Sequence, residues 1–293
     1  GFDPVFVDIN MTNLSFNINK LKVAIHENTR AIFLTHVLGL NGLTDELIQL
    51  CKDNNILLIE DVCESHGATF KGEKVGSKGF ASNFSFYFAH HMSTIEGGVV
   101  CTNDDKFYQV CRALRSHGMV RECTDENFKQ EVAQANPDCH PNFTFLYPAH
   151  NFRSTEINAV IGLSQLPNLD TNNSKRVDNF NYFMGKLNSS KYVTTLDLEG
   201  QCNYAFIIIM KEGSIEKRDL IEHTLTSNGI EFRRGLSGGG NQTLQPFIKT
   251  NYNINQDNFP NINHIHNYSW YVGNFPTLEK EKINFLVDVL NNI

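Results

Sequence analysis

Several features that would assign a chain quickly are missing here. None of the seven cysteines, at positions 51, 63, 101, 111, 123, 139 and 202, forms a C-x-x-C pair, so neither a zinc ribbon nor a disulfide scaffold is indicated. Several lie in apolar runs such as "NILLIEDVC" and read as reduced, buried thiols of a cytoplasmic protein. Basic runs are absent too: 25 Lys and Arg stand against 32 Asp and Glu, a net charge of -7, which gives no electrostatic footprint for nucleic acid. No apolar stretch reaches bilayer length and no charged-then-apolar leader opens the chain, so neither membrane insertion nor secretion is expected. There is no initial methionine. The opening "GFDPVFVDIN" already reads as a strand from Pro4 to Asp8, and the expectation is a segment that starts inside a domain whose N-terminal part is missing.

What is present describes an ordinary globular protein. The 293 residues, 41% of them hydrophobic with 22 Phe, suffice for one large domain or two moderate ones. The first half alternates short apolar strands ("PVFVD", "AIFLTHV", "ILLIED", "NFSFYF", "GGVVCTN") with amphipathic helices ("INKLKVAIHE", "TDELIQLCKDN", "DDKFYQVCRALRSHG"). That alternation predicts an α/β fold, a mostly parallel sheet sandwiched by helices. Residues from about Met119 to Pro148 read as a long polar loop, followed by the capped helix "STEINAVIGLSQL". The predicted division is a large domain over 1-170, then a linker helix and a smaller C-terminal α+β domain over 171-293, with "YAFIIIM", "EFRR" and the final helix "TLEKEKINFLVDVL".

In open α/β sheets ligands sit beyond the carboxyl ends of the strands, which singles out the loops after Val37, Glu60 and Phe88. The third reads "FAHHMSTIEGG". Side chains one residue apart on an extended segment point to opposite faces, so His90 and His91 do not chelate one ion, and no metal site is expected. Taken alone, two histidines without function remain the default. Asp61 ends an apolar strand where a buried acid requires a cationic partner, although a helix cap or a surface acid fits that position equally. Ser85, inside an aromatic strand, is placed to donate to a phosphate or to bond its own backbone. The stretch "EFRRGLSGGGNQTLQPF" lacks the GxxxxGK[ST] spacing of a nucleotide-triphosphate loop.

Several blocks, in order and spacing, carry a specific resemblance: "NTRAIFLTHVLGLNG", "ILLIEDVCESHGATFKGEKVGSKGFASNFSFYF", "EGGVV", "LRSHG" and "HNFRSTEINAVIGLSQL". Along nearly its whole length the chain resembles the DegT/StrS family of pyridoxal-phosphate-dependent sugar aminotransferases. The resemblance implies the aspartate aminotransferase (type I) fold, with a seven-stranded type of sheet, and a nucleotide-linked keto sugar as substrate. It places Asp61 against the cofactor's pyridine nitrogen, Glu64 beside its phenolic oxygen and Ser85 at its phosphate. Asn151 would reach the cofactor of a neighbouring subunit, which implies a homodimer with shared sites. His117, Arg121 and Arg153 are the substrate-side candidates.

One departure changes the implied reaction. The aminotransferases keep their Schiff-base lysine six residues before the Glu of "EGG", and here the residue six before Glu96 is His90. An amine on the protein bonds covalently to the cofactor's aldehyde, whereas imidazole does not. The cofactor, as pyridoxal 5'-phosphate or pyridoxamine 5'-phosphate, is then held non-covalently. His90, with a reference pKa of about 6.5, is the implied base. This pattern resembles the family's 3-dehydratases, lyases that remove the C3 hydroxyl of a nucleotide-linked 4-keto-6-deoxy sugar. One kind, acting on a CDP-sugar, carries a cysteine-ligated iron–sulfur cluster. The other takes GDP-4-keto-6-deoxy-D-mannose on the way to colitose for lipopolysaccharide O-antigen, and uses L-glutamate as amino donor. Only Cys123 and Cys139 lie in the loop concerned, two thiolates where a cluster needs four, so the cluster-free kind is implied. The alternatives are an ordinary 4-aminotransferase, the cluster-dependent dehydratase, and an inactive sugar-binding fragment.

Overall fold

The computed structural model describes residues 1–293. Its first half runs α1 (Ile18–Ala24), β1 (Ala31–Thr35), α2 (Asp45–Asp53), β2 (Leu57–Asp61), a short hairpin of β3 (Thr69–Phe70) and β4 (Glu73–Lys74), β5 (Ala81–Ser85), β6 (Gly98–Thr102) and α3 (Asp105–Arg115). Thr44 caps α2 by accepting from Leu47 N, and Asp104 caps α3 by accepting from Phe107 N, as short polar side chains do at helix starts. Then follow α4 (Glu126–Ala135), α5 (Glu156–Gln165) and the long α6 (Leu169–Lys186). The last third contains β7 (Ala205–Ile209), α7 (Ile215–Ser227), β8 (Arg233–Arg234), α8 (Pro246–Asn251), α9 (Pro260–Tyr268), β9 (Ser269–Gly273) and α10 (Lys280–Asn291).

The first sheet has the order β1-β2-β5-β6. Strands β1, β2 and β5 are parallel, whereas β6 is antiparallel to β5. It therefore has four strands in place of the seven-stranded type, and it is mixed. No helix lies between β5 and β6, and a parallel return needs such a crossover. The expected strand over 4–8 does not form: only Ile9 makes a bridge, to Phe16. Asp8 holds this segment instead. Its buried carboxylate accepts from Asn261 N (3.2 Å), Ile262 N (2.9 Å) and Lys20 Nζ (3.1 Å), so the segment caps α9 rather than joining a ladder.

Two other expectations change. Residues 119–148 are not one loop, because α4 occupies 126–135 with Asp125 accepting from Asn127 N and Phe128 N at its start. The aromatic strand ends at Ser85, three residues short of Phe88, where the chain turns back for β6.

Two apolar cores form. One packs Ile32, Leu34 and Leu58 of the first sheet against Leu21, Leu47 and Cys51 from α1 and α2. The larger surrounds the second sheet, order β7-β9-β8, with Phe180 and Phe183 of α6 and Ile283, Leu286 and Leu290 of α10. Every residue of β7 is buried, and each large apolar side chain there contributes about 2 kcal/mol of burial. No helix is long and apolar enough to cross a membrane.

Candidate active site

Strand β2 ends in two acids facing opposite ways. Glu60 is fully buried and its carboxylate is saturated, accepting from His36 Nε2 (3.2 Å), Gly76 N (2.8 Å), Lys78 N (2.9 Å) and Gly79 N (2.7 Å). Burial alone raises its pKa, but His36 and the Gly76 and Gly79 amides outweigh it, and the carboxyl lies below its ordinary value. Asp61 is half-buried on the other face. Its Oδ1 accepts from Asn83 Nδ2 (2.9 Å) and Cys63 N (3.1 Å), while its Oδ2 accepts nothing from the chain.

The loop after β2 turns against the loop after β1. Ser65 Oγ donates to His36 O (2.6 Å) and accepts from Gly39 N (3.1 Å), and Leu38 N donates to Glu64 Oε2 (3.2 Å). Gly39 has φ 91°, and a Cβ there would stand 2.4 Å from Asn203 N, so only glycine lets this turn meet the 202–204 segment. Burial raises the Glu64 pKa, with the Asp61 charge adding to the rise against hydrogen bonds from Ser237 and Leu38 N.

The third loop leaves β5 at Ser85. His90 is half-buried, and its Nδ1 lies 3.2 Å from Ser85 O. A carbonyl only accepts, so Nδ1 carries the hydrogen and Nε2 keeps its lone pair. Burial pushes the His90 pKa below its ordinary value, and the Ser85 carbonyl and the Asp61 charge pull it part of the way back. Hydrogen bonds from Phe86 N to Gly97 O (2.9 Å) and from Thr94 N to Phe86 O (2.9 Å) close this loop. Asn158 Nδ2 of α5 donates to Thr94 O (2.8 Å) and so docks that helix on it.

Asp61, Glu64, Ser85 and His90 thus belong to one group. His117, Arg121, Asn151 and Arg153 belong to another, and no hydrogen bond or ion pair joins the two. Segments 115–119 and 145–152 pair through His117 N to His150 O (2.9 Å) and Phe152 N to Arg115 O (2.8 Å). At Gly118 a Cβ would lie 1.9 Å from Tyr147 O, which fixes glycine in "SHG". Asn151 Oδ1 accepts from Arg153 N and Nε, both at 3.1 Å. Arg121 stands 3.4 Å from Glu122 Oε1, with its guanidinium 5.4 Å from the Phe143 ring centroid. Asn151, Arg121 and Arg153 are exposed.

Three residues near His90 have no part in the sequence-based site. The His66 ring centroid lies 6.3 Å from that of His90, and the Tyr204 centroid lies 5.7 Å from it. His91 turns away from His90 toward Cys202 O (3.3 Å), and the third residue, Arg176, donates from Nη1 to the Tyr204 carbonyl (3.3 Å). The histidine of "SHG" at 66, five residues after Asp61, was the only available signal; Tyr204 and Arg176 reach the site through packing alone.

A family description, the DegT/DnrJ/EryC1/StrS aminotransferase family, matches residues 1–291. The chain belongs to this family. It is 31% identical over 292 residues to GDP-4-keto-6-deoxy-D-mannose 3-dehydratase of Escherichia coli O55:H7, covering 99% of this chain and 74% of that protein. The enzyme of the same name from Yersinia pseudotuberculosis is 30% identical over 291 residues, with coverage of 99% and 74%. Among solved structures, GDP-4-keto-6-deoxymannose-3-dehydratase with a trapped PLP-glutamate geminal diamine superposes with a TM-score of 0.84 at 30% identity, over 97% of this chain and 74% of that one.

Proposed function

We propose that this chain is a lyase of the cluster-free kind. On this reading it uses pyridoxal or pyridoxamine phosphate to remove the C3 hydroxyl of GDP-4-keto-6-deoxy-D-mannose, with L-glutamate as amino donor. The observation that carries the reading is His90: the position of the family's lysine holds an imidazole whose Nδ1 is committed to Ser85 O and whose Nε2 is free.

The residues fit the cofactor. Asp61 has one carboxylate oxygen without a partner in the chain, at the carboxyl end of a parallel strand, and a protonated pyridine nitrogen is the cation such an oxygen accepts. Glu64, its proton affinity raised by burial, would stand beside the phenolic oxygen. Ser85 would hold the phosphate. Bound pyridoxamine phosphate supplies an amine for the sugar ketone and a conjugated ring that accepts electrons.

The chain's own residues do the rest. His90 Nε2 takes a proton, and the hydrogen bond to Ser85 O together with the nearby Asp61 charge steadies the imidazolium. The ring cannot form the covalent link that would hold the cofactor as an aminotransferase does. Tyr87 and Tyr204, each with its ring centroid 5.7 Å from that of His90, flank the base edge-on and hold its ring in place. His117, Arg121 and Arg153 are proposed on the sugar nucleotide, and Asn151 on the cofactor of a second copy, its exposure in one chain being what a shared site requires. The division into a cofactor-binding part, 1–170, and a part over 171–293 that brings Tyr204 to the base belongs to the same proposal.

Adding glutamate and pyridoxal phosphate without sugar should convert the absorbance to that of the pyridoxamine form. His90→Lys should instead give a lysine-linked absorbance band and suppress dehydration. An unchanged dehydration rate in His90→Lys would remove His90 from its role.

A further inference from the structure

Strand β5 faces the two acids of β2 residue by residue. The parallel register sets Ser82 opposite Glu60 and Asn83 opposite Asp61. Successive side chains on a strand alternate between faces, so Glu60 and Ser82 share one face of the sheet, while Asp61, Asn83 and Ser85 share the other. The first pair serves the fold: Ser82 Oγ donates to Gly76 O (2.7 Å), and the N–H of that same glycine donates to Glu60. On the second face the reaction proposed above uses Asp61 and Ser85 and leaves Asn83 without a part.

The Asn83 amide closes a small network around one carboxylate oxygen. Its Nδ2 donates to Asp61 Oδ1 (2.9 Å) and to Cys63 Sγ (3.1 Å), and Cys63 N donates to the same Oδ1 (3.1 Å). Carboxylate oxygens only accept, so the nitrogen of the amide, and not its oxygen, faces Asp61. Cys63 brings no competing charge, because burial and then the hydrogen bond and charge of Asp61 push its thiol up to about 12. The backbone that carries Asn83 is held on both sides. Val62 N donates to Asn83 O (2.9 Å) from β2's side, and Val100 of β6 pairs with Asn83 on the other.

A carboxylate turns readily about its last torsion, whose wells are broad and two-fold. Two donors on a single oxygen stop that turn. We infer that Asn83 is a positioning residue for the cofactor: together with Cys63 N it fixes Oδ1 of Asp61 and so keeps Oδ2 in one place for the pyridine nitrogen. The inference rests on the reading that Asp61 meets that nitrogen. Groups that meet a ligand hold their geometry when neighbours on rigid elements lock them, and a strand paired on both sides is such an element. With the amide gone, one donor is left on Oδ1, Asp61 is free to turn, and the ring nitrogen holds its proton less firmly.

The test is a ¹⁵N NMR titration of pyridoxamine phosphate labelled at the ring nitrogen and bound to the full chain, from about pH 6 to about pH 9. Asn83→Leu has nearly the shape of asparagine and no donor. In that variant the ring nitrogen should lose its proton at a lower pH than in the unaltered protein, and the cofactor should bind about threefold to tenfold more weakly, as the loss of one hydrogen bond to a charged group implies. A ring-nitrogen titration unmoved in folded Asn83→Leu would overturn the inference whatever the affinity does, since looser packing alone weakens binding without touching that proton. A second measurement needs no variant in the sample. In the unaltered protein the Asn83 side-chain amide should exchange its hydrogens slowly and shift when pyridoxamine phosphate is added; an amide that exchanges freely and does not shift would overturn the inference even if Asn83→Leu fails to fold. Asp61→Asn separates the inference from the reading beneath it. A ring-nitrogen titration unmoved in Asp61→Asn defeats that reading, whereas one that moves in Asp61→Asn and not in Asn83→Leu defeats the inference alone.

Discussion

Glu60 and Asp61 are neighbours on one strand, yet they sit in opposite regions of the molecule. On Glu60's side every acceptor site is occupied by a donor from the chain, and the carboxylate ties the 76–79 loop and His36 to β2. On Asp61's side one oxygen is left over, His90, the proposed base, stands nearby, and the surrounding tyrosines open toward solvent. The difference teaches how to tell a structural carboxylate from a functional one at equal distance along a strand. A saturated acid serves the fold, and an acid with a spare oxygen at a strand end is where the proposed cofactor would find its acceptor.

The strongest attempt to break that comparison is at the base itself. His90→Asn should lower the dehydration rate by about 10²–10⁴-fold, the usual worth of a positioned general base, with the thermal midpoint nearly unchanged. Next, Glu60→Ala should destabilise the fold by about 3–5 kcal/mol, because His36 and three backbone amides lose their acceptor; denaturant unfolding would measure it. Asp61→Asn sharpens the contrast. It should weaken binding of pyridoxamine phosphate at least about tenfold while costing less than about 1 kcal/mol of stability, since Asn83 and Cys63 N keep an acceptor oxygen. A stability loss in Asp61→Asn matching that of Glu60→Ala would erase the distinction.

The smallest effect is on pH dependence. His90 must be neutral to act as a base, and burial lowers its pKa, so activity should fall on the acid side only below the ordinary histidine range of about 6.5. His66 gives stability the same sign. Its folded pKa of about 4 lies below the unfolded value of about 6.5, so the stability it contributes is whole above the unfolded value and is lost as pH falls toward the folded one. Thermal midpoints at several pH values would check this.

The catalytic side of the comparison was legible in sequence to a particular depth. Asp61 and Ser85 were singled out by their strands and His90 by the family resemblance that shows a lysine missing there, because those signals are ordered along the chain. His66, His91, Tyr204 and Arg176 come together only when α6 and the 202–204 segment pack against the two loops, a juxtaposition with no local signature. Helix α9 shows the same limit, since its first amides are capped by Asp8 from the other end of the chain. Helix α4 is different. Its Asp125 cap and the four-residue spacing of Phe128 and Val132 were visible, but its Asn- and Gln-rich surroundings read as loop.

The central claim is that an imidazole in the lysine position turns the addition of an amine into the removal of a hydroxyl. Its most direct test is the mass of the sugar product formed from GDP-4-keto-6-deoxy-D-mannose, glutamate and pyridoxal phosphate. The account predicts a keto sugar one oxygen atom lighter than the substrate, released with ammonia and 2-oxoglutarate. A stable 4-amino sugar that retains its C3 oxygen would contradict it.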